Sequence, residues 1–147
     1  MTSRPHIRTA ARIVLAAVFL GAGVLHLMVP GPFVRITPHW VPDPGLVVAL
    51  TGIAELLGAA GLMIPRLRVV AGWALALYAV CVYPANIQHA MDGLASGTDL
   101  GLAYHGPRLL LQPVIVWWCL WASTAIDWPF RTRQAAARVP PISMERI

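Results

Sequence analysis

Four long apolar runs constrain the fold of this chain more than any other feature. They cover residues 13–29, 45–64, 69–86 and 109–126. A helix needs about 17–25 mostly apolar residues to cross the hydrocarbon core of a bilayer, and each run falls in that range. An isolated strand cannot satisfy its backbone hydrogen bonds in hydrocarbon. The sequence therefore predicts an all-α integral membrane protein, a bundle of four spanning helices in one domain over residues 13–127.

The composition agrees with a chain that lipid surrounds. Hydrophobic residues make up 58% of the 147 residues and charged residues only 12%, whereas a soluble domain carries about 25% charged residues. So few charges could not cover the surface of a soluble fold of this size. The net charge is +5, and every basic residue is Arg. Because the arginines lie at the ends of the apolar runs, they indicate topology, and we expect no nucleic-acid partner.

The arginines also predict an orientation. Nine of the eleven fall on one side of the predicted bundle: Arg4, Arg8, Arg12, Arg66, Arg68, Arg131, Arg133, Arg138 and Arg146. The other side keeps only Arg35 and Arg108. Positively charged segments stay in the cytoplasm. We therefore expect a cytoplasmic N-terminal segment at 1–12 and a basic cytoplasmic tail at 128–147, the tail disordered because it lacks apolar periodicity.

The connections at 30–44 and 90–107 should then face outward. The first carries five prolines among apolar and aromatic side chains: Pro30, Pro32, Pro38, Pro42 and Pro44. Proline fixes φ and removes a backbone donor, so we expect a stiff loop without regular secondary structure. Two interpretations stay open. The loop is a hydrophobic connector on the membrane surface, or it is a lid over a cavity at the mouth of the bundle.

Glu55 is the most informative single residue, because it is the only charge in the run 45–64. A charge near the bilayer centre costs at least about 2.5–3.5 kcal/mol on insertion scales, so Glu55 must face the interior of the bundle. Gly52 and Ala59 lie on the same helix face, three and four residues away. These small neighbours leave room for a partner side chain or a ligand.

Each of the other runs contributes polar side chains near the outer end of the bundle. The candidate site residues are His26, Glu55, Asn86, Arg108 and Gln112, with Gln88 and His89 as further candidates. An arginine guanidinium offers five donors and suits several acceptors at once. We expect one network that runs from Arg108 through Gln112 to Glu55, with His26 alongside. One alternative is a structural network of interhelical hydrogen bonds. Another is that Arg108 extends to the lipid headgroups and never meets Glu55.

No metal site or intrinsic cofactor is expected, since the sequence has no CxxC, GxGxxG, Walker or HExxH pattern. The two cysteines, Cys81 and Cys119, differ in predicted depth by roughly 10 Å at helical rise. A disulfide needs Cα atoms within about 7 Å. We therefore expect both thiols to behave as small apolar side chains.

These motifs, in this order, resemble the DoxX-like family of small bacterial membrane proteins. The matching stretches are GAGVLHLMVPGPFVRITPHWVPDPG at 21–45, TGIAELLGAAGLMIPRLRVVAGW at 51–73, YPANIQHAM at 83–91 and RLLLQ at 108–112. The resemblance implies a four-helix fold in the bacterial inner membrane. Some relatives look like subunits of thiosulfate:quinone oxidoreductases, and others are associated with thiol-oxidant and superoxide defence. The family pattern falls on the same five candidate residues without giving any of them a catalytic role.

The leading expectation is a membrane subunit of a redox-linked complex that uses thiols or quinones and is not a catalyst on its own. Its polar cavity would bind a quinone or a lipid, and its partners would be lipid, other membrane proteins or a second copy. A membrane assembly or scaffold protein is the first alternative. A transporter of small molecules or protons ranks lowest, because four short helices leave little room for alternating access.

Overall fold

A computed structural model describes residues 4–97 and 101–128 of the chain. It contains five helices, which are α1 (Arg4–Met28), α2 (Pro30–Ile36), α3 (Pro44–Met63), α4 (Arg68–Ser96) and α5 (Leu102–Ala122). These described residues form no strand. Within these described ranges, three stretches are long and apolar enough to cross a membrane: His6–Met28, Pro44–Met63 and Arg68–Ala95. The all-α class is confirmed for the described residues, and three of their helices could span a membrane.

Three helices differ in extent from the predicted runs. Helix α1 begins at Arg4, nine residues before the run 13–29. The run expected to end at 86 continues as α4 through Pro84 to Ser96, where Gly97 terminates the helix with a φ of 62°. A glycine in this left-handed conformation is a common helix terminus. The last helix begins at Leu102, seven residues before the run 109–126, and ends at Ala122, four residues before the end of that run. The connection expected at 90–107 is therefore mostly helical.

The proline-rich connection contains a helix that the sequence analysis did not predict. Pro30 opens α2, where its missing N–H costs nothing because the first turn of a helix has unpaired donors. The Thr37 hydroxyl donates to the Phe33 carbonyl at 2.9 Å just past the helix end. Asp43 then accepts a hydrogen bond from the Leu46 backbone N–H at 3.1 Å and caps α3. Only residues 37–43 are irregular, so the expectation of a loop without regular structure was wrong for its first half.

The four long helices form a closed ring. Helix α1 packs against α3 and α5, and α4 packs against the same two helices, while the short α2 lies against α1, α3 and α4. The fully buried side chains of Leu15, Leu62, Leu75 and Cys119 come from all four long helices. One hydrophobic core therefore holds the ring together.

One end of the ring, here called the Arg-rich end, carries Arg8, Arg12, Arg66 and Arg68. The Arg12 guanidinium donates to the Ala122 carbonyl at 3.4 Å, and Arg68 donates to the Leu62 carbonyl at 3.4 Å. Both carbonyls belong to the last turn of a helix, where cations are favoured. The N-terminus of α1, the α3–α4 link and the C-terminus of α5 thus meet at one end. The tail beyond Trp128, with its four arginines and its expected disorder, lies outside the described residues.

Candidate functional site

A cavity of about 530 Å³ lies among the helices, away from the Arg-rich end. All five helices contribute to its wall, together with residues in the segment 37–41. The five side chains expected to form a site all line it: His26, Glu55, Asn86, Arg108 and Gln112. Most of the remaining wall is apolar, including Phe19, Phe33, Ile115 and Trp118. The structure thus brings the predicted polar set to a single apolar chamber.

Close contact between α1 and α3 sets the position of His26. A Cβ atom on Gly23 would lie 2.8 Å from the Gly52 carbonyl oxygen, and one on Gly52 would lie 2.9 Å from the His26 Cβ. Real Cβ atoms do not approach other atoms so closely, so both positions require glycine. Small residues allow backbones in a membrane to approach in this way. The approach places the imidazole of His26 directly beside Glu55.

Glu55 is buried, with 4% of its surface exposed. The Tyr78 hydroxyl donates to Glu55 Oε1 at 2.8 Å, and His26 Nδ1 lies 2.9 Å from Oε2. Three helices, α1, α3 and α4, therefore meet at this acid. The group formed by His26, Glu55 and Tyr78 is called the carboxylate cluster below.

The two oxygens of Glu55 differ in the hydrogen bonds that they accept. His26 Nδ1 lies 2.8 Å from the Ala22 carbonyl oxygen as well as 2.9 Å from Glu55 Oε2. A carbonyl only accepts, so Nδ1 must carry the hydrogen, and one N–H then faces two acceptors. The N–H is directed toward the Ala22 carbonyl, so its contact with the buried Oε2 is the weaker of the two. The His26–Glu55 contact is therefore electrostatic, and Oε2 keeps its accepting capacity.

A second group, the guanidinium cluster, consists of Asn86, Arg108 and Gln112. Arg108 Nη2 donates to Asn86 Oδ1 at 3.1 Å, and its guanidinium carbon lies 5.0 Å from the centre of the Tyr104 ring. Asn86 Nδ2 approaches Gln112 Oε1 at 3.5 Å, the long limit for a hydrogen bond. Helices α4 and α5 are thus joined by side-chain hydrogen bonds at the cavity wall.

The structure differs from the expected hydrogen-bond network at the link between Gln112 and Glu55. Gln112 Nε2 donates to the Ala79 carbonyl, and its oxygen faces Asn86. Glu55 is engaged instead by Tyr78 and His26. The rotation of α4 decides this, because it presents both Tyr78 and the Ala79 carbonyl toward the cavity. The polar set therefore divides into two clusters on the wall of one cavity.

The segment that includes α2 covers part of the cavity. The Phe33 ring stacks on the His26 imidazole, with centroids 3.9 Å apart and planes 24° apart. Thr37, Pro38, Trp40 and Val41 follow on the same wall. Of the two open interpretations of residues 30–44, the structure favours the one in which they fold over the bundle.

Tyr78 is the site residue that sequence reasoning missed. It lies in the middle of a predicted span, where the sequence pattern does not distinguish a tyrosine from the other large apolar side chains. A signal was present, because a buried phenolic hydroxyl needs a hydrogen-bond partner, and Glu55 was an obvious unsatisfied acceptor. Two other candidates fall elsewhere: Gln88 donates to Asp92 at 2.9 Å, and the His89 ring packs against His105 with centroids 5.0 Å apart.

The cysteines and the acidic and histidine side chains offer no metal centre within the described residues, where no group of three or more His, Cys, Asp or Glu could hold an ion. Cys81 and Cys119 are both free thiols. Cys119 is completely buried in the core, whereas Cys81 is exposed and touches the cavity. The two thiols therefore occupy different environments.

The fold and site define a helical membrane protein with an apolar cavity that carries two polar clusters. The chain belongs to a family described as a domain of unknown function, DUF8561, whose model matches residues 15–123. The matched region includes every residue of both clusters. Neither the curated proteins nor the solved structures contain a match to this chain.

Proposed function

We propose that this protein is a four-span protein of the bacterial inner membrane whose cavity binds a small amphipathic molecule, either a quinone or a lipid headgroup. In this proposal it is a membrane subunit of a redox-linked complex and does not catalyse a reaction by itself. The observation that carries the proposal is the 530 Å³ cavity with apolar walls and two separate polar clusters. Ligand sites for small molecules are typically mostly apolar, with a few placed polar groups.

Helix α5 is the fourth span in this proposal. It carries two polar side chains, Arg108 and Gln112, and both line the cavity. Polar residues that face the interior of a bundle do not prevent a helix from crossing the membrane. The packing of α5 against α1 and α4 supports the same assignment, as does the contact between Arg8 and Asp127 at 2.9 Å.

The proposed topology puts both termini in the cytoplasm and the cavity toward the outside. Single-cysteine variants on a background without Cys81 and Cys119 test it in intact cells. A membrane-impermeant maleimide should label Ser96→Cys, and it should reach Ser3→Cys and Ser143→Cys only after lysis. Labelling of Ser143→Cys in intact cells would overturn the orientation.

Ligand binding can be measured with the purified protein in lipid nanodiscs and a short-chain benzoquinone as the probe. Arg108→Ala should weaken binding, because its guanidinium is the strongest donor on the cavity wall. Arg35→Ala is the matched control, since Arg35 is an exposed arginine of α2 outside the cavity lining. Equal affinities for wild type and Arg108→Ala would reject the cavity as the binding site.

The redox-linked role and the resemblance to the DoxX-like family stay predictions, because the matching family has no assigned function. Purification from native membranes in a mild detergent tests the role. One stoichiometric oxidoreductase partner would support a subunit of a redox complex. A varied set of membrane proteins would instead support the scaffold alternative.

A further inference from the structure

We propose that the cavity selects ligands by a hydroxyl group, which donates to Glu55 Oε2 while a second oxygen of the ligand accepts from Arg108. The ligand class is a ring alcohol with two oxygens at opposite ends, such as a hydroquinone-type diol. This inference rests on the proposed function, because it names the chemistry that the same cavity would take.

At the inner end of the cavity, Glu55 Oε2 can accept a hydrogen bond from a ligand. Glu55 is 96% buried, since only 4% of its surface is exposed, and its Oε2 receives no well-directed hydrogen bond. Tyr78 already occupies Oε1, and the His26 N–H is directed to the Ala22 carbonyl. Buried polar atoms in folded proteins nearly always have a partner. A donor supplied by a ligand would complete this set.

The guanidinium cluster can donate hydrogen bonds to a ligand. Arg108 offers five N–H groups, and one of its nitrogens bonds Asn86 Oδ1. Its remaining donors suit a ligand oxygen that accepts. A ligand with a donor at one end and an acceptor at the other therefore matches the two clusters in a single orientation.

The apolar part of the cavity wall favours a flat, apolar body. Phe19, Phe33 and Trp118 line the cavity together with aliphatic side chains. Aromatic rings pack well against one another in offset or edge-on arrangements. A simple organic cation fits less well, because it would approach Glu55 in a cavity that also holds the Arg108 guanidinium.

The Glu55→Gln variant gives a sharp test because Tyr78 should fix the orientation of the new amide. The Tyr78 hydroxyl donates to the Oε1 position, so the amide carbonyl should take that place. The amide NH₂ would then replace Oε2, and an acceptor becomes a donor of nearly the same size. The preference of the cavity for a ligand hydroxyl should be lost or reversed.

The experiment compares a short-chain alkyl hydroquinone with its monomethyl and dimethyl ethers and with the matching benzoquinone, using protein in nanodiscs. Wild type should bind the diol about ten- to a hundredfold more tightly than the dimethyl ether, because the ether leaves the buried Oε2 without a donor. Glu55→Gln should lose at least about tenfold of that preference, and Arg35→Ala should keep it.

The possible outcomes separate the two proposals. Equal binding of diol and ethers by wild type, weakened by Arg108→Ala, would overturn the hydroxyl selectivity and leave the cavity as the binding site. Binding of none of the four probes would overturn the proposed function for the quinone class and this inference with it. If Glu55→Gln does not fold, the wild-type series with the ethers still decides whether the ligand hydroxyl matters.

Discussion

Both ends of the helical ring contain arginines, but these arginines donate to different kinds of hydrogen-bond partner. At the Arg-rich end, Arg12 is 7% exposed and donates to a backbone carbonyl of α5. At the cavity end, Arg108 donates to the side chain of Asn86 and lines an open chamber. Arginines that bond backbone carbonyls join helices. An arginine held by one side chain beside a cavity keeps donors for a ligand, and this contrast supports the proposal that ligand binds at the cavity end.

The largest expected effect comes from breaking the helix contact that shapes the cavity end. Gly23→Ala would bring a Cβ atom to 2.8 Å from the Gly52 carbonyl oxygen, and a backbone carbonyl cannot move aside cheaply. We expect a loss of about 1–3 kcal/mol in the free energy of unfolding, the usual range for overpacking. Ligand affinity should fall as well, because His26 would move away from Glu55. Denaturant unfolding in detergent and binding titrations measure the two effects.

Gly21→Ala is the matched control for this prediction. Gly21 lies on the same helix, and a Cβ atom there would meet nothing within 4 Å. Alanine is favoured over glycine inside a helix by roughly 1 kcal/mol, so this variant should be as stable as wild type or slightly more so. Equal destabilisation by both alanines would show that α1 and α3 do not approach closely at Gly23.

An effect on stability alone, without a loss of ligand affinity, is expected at the Arg-rich end. Arg12→Ala removes the donor to the Ala122 carbonyl and should cost about 1–3 kcal/mol, the range for a buried group left without its partner. Affinity for the benzoquinone should stay unchanged, since Arg12 does not line the cavity. The exposed Arg66, replaced by Ala, should change stability by less than about 0.5 kcal/mol. A loss of affinity in Arg12→Ala would erase the distinction between the two ends.

The smallest expected effect lies within the cavity end and distinguishes its two clusters. Glu55→Ala and Tyr78→Phe remove the same hydrogen bond, so their losses of stability should be coupled by about 1 kcal/mol. Glu55→Ala and Arg108→Ala share no hydrogen-bond partner in the structure, and their losses should add to within about 0.5 kcal/mol. Strong coupling between Glu55 and Arg108 would restore the single network that the sequence predicts.

Much of the fold could be predicted from the lengths of the apolar runs, because the position of a residue within a run indicates its depth in the bundle. The apolar runs became α1, α3, α4 and α5, and the lone acid of the second run is buried, as the cost of an exposed charge in lipid requires. Depth also placed the five candidate side chains at one end. Sequence analysis could go this far because burial cost depends on composition along the chain.

Hydrogen-bond partners could not be predicted in the same way, because they depend on how each helix is rotated. The rotation of α4 turns Tyr78 toward Glu55 and the Ala79 carbonyl toward Gln112. The close approach at Gly23 and Gly52 fixes the neighbouring helices. Small residues indicate that helices approach closely without saying which pair does. The helix α2 was missed for a different reason, since prolines that usually interrupt helices here stand in its first turn.

The depth of Glu55 gives the cavity an electrical property. Glu55 lies eleven residues along α3 from Pro44, roughly 16 Å at helical rise, which is about half the thickness of a hydrocarbon core of about 30 Å. In the proposed topology, a charge that moves from the outer surface to Glu55 would cross about half of the transmembrane voltage, worth about 1 kcal/mol at 100 mV. An inside-negative voltage would draw a cation toward Glu55 and expel an anion, while a neutral alcohol would be indifferent. The voltage dependence of occupancy therefore reports the charge of whatever molecule the cavity holds.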